Sequence, residues 1–247
     1  MQAMDNLKKA GVLFGYSCTM TKDNAEVIIS DRFFDFMMSK GCYVGWYFQY
    51  IPIGKNPDLN LMATPEQRNN LRKKLIQVRE TREIFVGDFW NDGPYAEGCI
   101  AGGKNYLHIN NRGEVEPCGF VHFAVDSISG KTLKEVLENP FYKEMRRRIQ
   151  AVGVPDAYSD NMLTPCMIID QPWVLRDLVK KYGAFSTDGG DSLLEGKIAA
   201  GLDDYSKKIH AIYDPIWEKE YKEFHPAIRK KPGSPTGKGV EKIEETA

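Results

Sequence analysis

Residues 99–118 read CIAGGKNYLHINNRGEVEPC, and the organisation of the rest of the chain follows from this stretch. Thirteen residues separate Cys99 from Gly113 and four more separate Gly113 from Cys118. Asn105 to Asn110 and Gly113 to Pro117 read as a hairpin turning through Asn111-Arg112-Gly113, which returns the chain and places Cys118 opposite Tyr106. Cys166 follows 48 positions after Cys118. An iron-sulfur site needs thiolates gathered in this way. The flexible Ile100-Ala101-Gly102-Gly103 run would bring Cys99 back to the hairpin, and its backbone N–H groups are expected to face cluster sulfides. Two other readings stay open at this point. Zinc would take the three cysteines together with His108 or His122, and any one of the cysteines taken alone is an ordinary small apolar core residue.

Upstream of Cys99 the chain alternates strand and helix. A helix from Met4 to Ala10 ends at Gly11, and the apolar, β-branched run Val12 to Thr21 reads as a buried strand. Apolar residues at helical spacing predict one helix from Ala25 to Lys40, with Asn24 as its cap and Gly41 closing it. Cys42 to Ile53 is a second, aromatic-rich strand, and Cys18 and Cys42 in these two strands are expected to pack. Thr64-Pro65-Glu66-Gln67 supplies an N-cap, a proline at the first helical position and polar first-turn residues for a helix to about Thr81. Ile84 to Phe89 adds another strand. Strands and helices in this order imply parallel pairing through crossover helices. Too few units are present to close a barrel, which suggests that an N-terminal portion belongs with this chain.

Downstream, Leu133 to Ile149 reads as one helix with a basic end, and Pro155 to Pro165 as irregular chain that delivers Cys166. Helices are expected near Pro172 to Tyr182 and Ser192 to Phe224. From His225 onward the composition is that of a disordered tail.

The chain has 247 residues, of which 42% are hydrophobic, so it can bury a substantial core. Thirty-three basic and 34 acidic side chains leave a net charge of -1, which recommends neither nucleic acid nor an anionic membrane as the partner. No signal peptide or membrane span is evident, so the expected compartment is cytoplasmic. There the five cysteines are better read as thiols or metal ligands than as a disulfide framework.

The Cys99, Gly113, Cys118 and distant Cys166 pattern resembles the C-terminal SPASM or Twitch auxiliary-cluster region of radical S-adenosylmethionine (radical SAM) enzymes. TLKEVLENPFYKEMRRR after the hairpin, LKKAGVLFGYSCTMTKDNAEVI and the GWYFQYIPIG strand followed by TPEQR are similar to that family's surrounding elements. The resemblance implies an α/β fold in which residues 1–90 form the last strands of a partial (β/α) barrel. Residues 91–185 would then be a small α+β cluster-binding domain, 186–224 a helical extension and 225–247 a disordered tail. It also implies that Cys99, Cys118 and Cys166 ligate an auxiliary 4Fe-4S cluster, with Asp92, His122 or Asp170 as weak candidates for a fourth ligand. Ser17, Thr19 and Gln49 fall where the family's strands approach SAM.

The family's CxxxCxxC motif is absent from this sequence. SAM and a second 4Fe-4S cluster are therefore expected only together with a missing N-terminal barrel half, on the same or another chain. An electron donor and an unknown substrate complete the implied partners. The different-class alternative is a non-catalytic, zinc-stabilised interaction module.

Overall fold

The computed structural model describes residues 1–149 and 160–222 of a mixed α/β chain. Part of the irregular segment expected at Pro155 to Pro165, the end of the last expected helix, and the tail from His225 lie outside the described residues.

The chain opens with α1 (Gln2–Lys9), and Gly11 at φ +67° turns it into β1 (Phe14–Met20). Next come α2 (Ala25–Ile28), α3 (Asp31–Ser39), β2 (Cys42–Gln49), α4 (Pro65–Thr81) and β3 (Phe85–Asp88). The three strands form one parallel sheet in the order β1-β2-β3, as the alternation of elements predicts. The single helix expected from Ala25 to Lys40 is two helices. Ser30 interrupts it, taking extended backbone and accepting the Phe33 N–H at 3.3 Å, so it caps a new helix rather than continuing the old one. At α4 the expectation holds closely. The Thr64 hydroxyl accepts the Gln67 N–H at 3.2 Å, and the Gln67 side chain accepts the Thr64 N–H at 2.9 Å.

One face of this sheet is closed by its helices. Met20, Phe34, Tyr47, Leu71, Leu75 and Val86 are buried there, each side chain contributing about 1.5–3 kcal/mol by leaving water. The Tyr16 and Tyr47 hydroxyls lie 2.9 Å apart, and Tyr47 donates onward to the Ile28 carbonyl at 3.0 Å, so the polar ends of both rings are satisfied within the core. The opposite face is open. Ser17 and Thr19 are exposed, paired in register with Trp46 and Phe48, and Trp46 and Phe85 are 39% and 62% exposed. β1 is therefore a half-covered edge strand rather than the fully buried strand its composition suggests.

After β3 the regular elements shorten. α5 (Gly93–Ala96) leads to the hairpin β4 (His108–Ile109) and β5 (Val115–Glu116), antiparallel with His108 opposite Glu116. This is the expected register, and Gly113 takes φ +77° in the turn. β6 (Phe123–Ala124) follows. The helix expected from Leu133 to Ile149 is again two, α6 (Leu133–Leu137) and α7 (Pro140–Ile149). Pro140 lacks the N–H that a continuous helix needs, and the Asn139 side chain accepts the Phe141 N–H at 3.0 Å. α8 (Pro172–Tyr182) matches its expected range, and β7 (Phe185–Ser186) pairs with β6. α9 (Gly196–Ile216) starts later than Ser192 and passes into a π-helical turn, Trp217–Tyr221, next to Pro215.

A second core lies under these elements. Trp90, Val115, Phe141, Tyr142, Met145, Leu163 and Leu178 are buried in it, and Ile209 and Tyr213 of α9 close it with Trp217 of the turn that follows. Ile51 and Met62, from the connection that precedes α4, also belong to it.

Candidate metal centre

Cys99, Cys118 and Cys166 arrive from three separate segments at one cavity of about 240 Å³. Asp88 at the C-terminal end of β3, with Phe89 and Trp90 just beyond it, forms part of its wall, and Trp46 from the open sheet face reaches it. Such a crevice at the carboxyl ends of parallel strands is where α/β proteins place ligands.

The approach to Cys99 is tightly wound. A Cβ built on Gly93 would lie 1.9 Å from the Met162 carbonyl oxygen, so no larger residue fits as the chain now runs. Glu97 adopts the left-handed region at φ 55°, and Lys104 clasps the loop by donating to the Ala96 and Glu97 carbonyls at 3.0 and 2.8 Å. The Gly102 N–H donates to the Pro117 carbonyl at 2.8 Å, which ties the Cys99 loop to the segment after β5 that carries Cys118. Gly103 donates to the Tyr106 carbonyl at 3.0 Å. These two amides, expected to face cluster sulfides, are thus spent on the protein's own carbonyls. On the far side the Gly119 N–H meets the Tyr106 hydroxyl at 2.7 Å, fixing Cys118 near Tyr106 as the hairpin register requires.

Other amides serve the sulfurs. Each cysteine begins a turn that directs a following backbone N–H back at its own thiol: Ala101 at Cys99, Phe120 and Val121 at Cys118, and Ile168 and Ile169 at Cys166. The Ile168 nitrogen is 3.4 Å from the Cys166 Sγ. Donors aimed at a sulfur favour the thiolate, the form that binds metal. Opposing them, burial and the neighbouring Cys166 push the Cys99 thiol up to about 12. Burial, and then Cys99, raise Cys118 further, while burial and Asp170 raise Cys166. Three thiols that resist ionisation until a cation neutralises them, each already provided with N–H donors, match the donor set of an iron-sulfur cluster.

Among the described residues, no three His, Cys, Asp or Glu side chains stand in an arrangement that would hold a single metal ion. Tetrahedral zinc draws its donors to about 2.0–2.3 Å of one point. His108 does not complete a zinc set. Its Nδ1 lies 2.6 Å from the Glu116 carboxylate, the local partner expected for it on an exposed strand. His122 places its ring nitrogens 2.9 and 3.3 Å from the Asp188 and Gly119 carbonyl oxygens. Asp92 lines the cavity but pairs with Arg79 at 2.6 Å and accepts the Asp88 N–H at 2.7 Å. Asp170 is wholly buried against Arg68. Each weak candidate for a fourth ligand therefore already has another partner.

Ser17 and Thr19 lie on the open sheet face. Gln49, expected beside them, does not: strand alternation puts it on the helix-covered side with Tyr47, 3% exposed, its amide 3.7 Å from the Met20 sulfur. Cys42 is buried and Cys18 half-buried against the first core, where packing was expected; burial pushes the Cys18 thiol up to about 11.

A polar network next to the cavity has no counterpart in the sequence reading. Asp88 is buried, and its carboxylate accepts the Trp90 and Asn91 N–H groups, both at 3.0 Å, and the Asn91 side-chain amide at 2.6 Å. Burial holds it above the usual carboxylate range. Asn91 in turn accepts the Tyr213 hydroxyl at 2.8 Å and the Arg68 Nε at 3.3 Å. The Arg68 guanidinium lies 5.1 Å from the centre of the Tyr213 ring.

Residues 99–167, which span all three cavity cysteines, match the family model for the SPASM iron-sulfur cluster-binding domain. This segment is thus similar to SPASM domains. No curated protein matches the chain. Among solved structures, native anSMEcpe with bound AdoMet and the Cp18Cys peptide matches at a TM-score of 0.48 with 14% identity, covering 87% of this chain and 62% of that one. Native anSMEcpe with bound AdoMet gives a TM-score of 0.45 and 15% identity, over 86% of this chain and 60% of that one. The chain therefore spans about three fifths of the length of these structures. Among the described residues, no helix is long and apolar enough to cross a membrane.

Proposed function

We propose that this chain is the C-terminal section of a radical SAM enzyme, holding an auxiliary 4Fe-4S cluster through Cys99, Cys118 and Cys166 and lining one wall of the SAM and substrate cavity. The observation that carries this reading is the meeting of three thiols from three segments at one cavity, each with a backbone N–H of its own turn directed at it. When bound, the cluster supplies one-electron chemistry or a Lewis-acidic iron beside the substrate. The protein's own contribution is positional. Phe89, Trp90 and Phe120 line the cavity and limit water, the turn amides would favour the thiolate form once a cluster neutralises the sulfurs, and three cysteine donors leave one iron for a further ligand.

The parallel strands β1-β2-β3 are the last strands of a partial barrel in this reading. Ser17 and Thr19, with Trp46, face SAM, and Gln49 is set aside because it points into the helix-covered core. The free edge of β1 and the exposed Trp46 and Phe85 favour a complementary barrel half bearing CxxxCxxC, on this polypeptide or a second one. An electron donor and a substrate are the remaining partners.

The test is iron, sulfide and zinc content with an absorption spectrum after anaerobic reconstitution, comparing wild type with Cys99→Ala and Cys118→Ala. Stoichiometric iron and a broad visible band, lost in both variants, are expected. Zinc in place of iron would sink the cluster and favour the zinc-stabilised interaction module.

A further inference from the structure

Cys166 sits in a turn closed from both ends. Its carbonyl accepts the Asp170 and Gln171 N–H groups at 3.0 and 2.9 Å, while its own N–H donates to the Asp170 carboxylate at 3.0 Å. That carboxylate is wholly buried and gripped from outside the turn. Arg68, on the first turns of α4 and equally buried, donates from Nη1 to Oδ1 at 2.5 Å and from Nη2 to Oδ2 at 3.3 Å. Its Nη2 also donates to the Leu163 carbonyl at 2.9 Å, so one guanidinium holds both ends of the segment that carries Cys166. From the other side, α9 holds the Asp170 carbonyl through the Ser206 hydroxyl and the His210 ring, the latter at 3.1 Å.

We infer that Arg68, acting through Asp170, is a positioning residue for Cys166, and that the pair balances charge beside the cluster. This rests on the function proposed above. Two features separate the role from ordinary core packing. A buried ion pair is rarely a net source of stability, since an apolar pair of similar volume does as well, so its presence here calls for a geometric or electrostatic reason. The bidentate fork fixes a carboxylate whose second oxygen is the acceptor for the cysteine's own amide, which supplies the geometric reason. The electrostatic one is proximity: the Asp170 charge acts on both Cys99 and Cys166. Reduction adds negative charge to a cluster, so an unmatched cation beside it favours the reduced state and an unmatched anion opposes it.

The experiment reconstitutes the full chain as wild type, Asp170→Asn, Arg68→Gln and Arg68→Lys, and follows a redox titration by electron paramagnetic resonance, with circular dichroism as the check on folding. Asp170→Asn leaves Arg68 unmatched and should raise the midpoint potential, whereas Arg68→Gln leaves Asp170 unmatched and should lower it. Arg68→Lys keeps the charge but loses the fork, so its potential should return toward wild type while chelators strip its iron faster. Shifts of the same sign in the first two variants, or none, in folded protein would overturn the inference. Should a single variant fail to fold, Arg68→Gln combined with Asp170→Asn removes both charges together. Iron loss to a chelator roughly 10–100-fold faster than wild type would then support the positioning role, and wild-type retention would overturn it. Wild type that takes up no iron would instead refute the cluster reading itself.

Discussion

From Phe14 to Asp88, long elements bury their own apolar face, and Phe34, Tyr47 and Val86 are closed from solvent by packing alone. From Gly93 to Ala124 no strand exceeds two residues, and the chain is held by turns, carbonyl clasps and a cavity ringed with sulfur. The first region carries its stability in its hydrophobic pattern. The second also buries Val115, Val121 and Phe123 in the other core, but with less regular structure, and in the function proposed above a cluster would complete its cysteine cavity. A region of that kind should be the less stable of the two whenever its cavity is empty.

Removing the cluster from reconstituted protein sets the two regions furthest apart. Hydrogen exchange should accelerate strongly through residues 93–124 and around Cys166, with α3, α4 and β2 changed little; uniform acceleration would mean that the regions are one cooperative unit. Alkali sharpens the same contrast. The Cys99 thiol rises from an ordinary value of 9.0 to about 12 in the folded metal-free chain, so the unfolded state gives up that proton first. Stability is therefore full below about pH 9 and falls as the pH climbs toward 12, and chemical denaturation across that window should show the decline in apo protein but not in cluster-loaded protein.

Phe34→Ala attacks the packed region. It should cost about 3–5 kcal/mol in unfolding free energy, while any molecules that remain folded keep their iron. Gly93→Ala attacks the other. Its methyl group would overlap the Met162 carbonyl, and a loss of about 1–3 kcal/mol with lower iron content per folded chain is expected. Iron content unchanged in this variant would show that the Cys99 approach tolerates rearrangement. The smallest effect belongs to Thr64→Ala, where loss of the cap should cost about 1 kcal/mol with no change in the absorption of the reconstituted cluster.

The difference between the regions also explains what could be read from sequence. Parallel strand order and the Thr64-Pro65-Glu66-Gln67 helix start are local signals, and both hold. Ser30 and Asn139-Pro140 carry capping chemistry strong enough to divide helices that apolar periodicity alone reads as continuous. That Cys99, Cys118 and Cys166 meet at one cavity is legible because thiols at such spacing are rare and chemically distinctive. Their amide donors are not, since which N–H faces a sulfur depends on turn geometry: Gly102 and Gly103 offer flexible amides, yet both are taken by carbonyls. Arg68 was invisible for a related reason. It stands in a strongly polar helix, PEQRNNLRKK, where an arginine reads as solvated, and its partner lies 102 residues away.

Two of the chain's four tryptophans, Trp46 and Trp90, border the cysteine cavity, whereas Trp173 and Trp217 lie elsewhere. A broadly absorbing chromophore between the thiols would quench tryptophan emission by energy transfer, most strongly for the pair that borders the cavity. Intrinsic fluorescence therefore gives an optical gauge of site occupancy that needs no added label and can be followed in real time during loading.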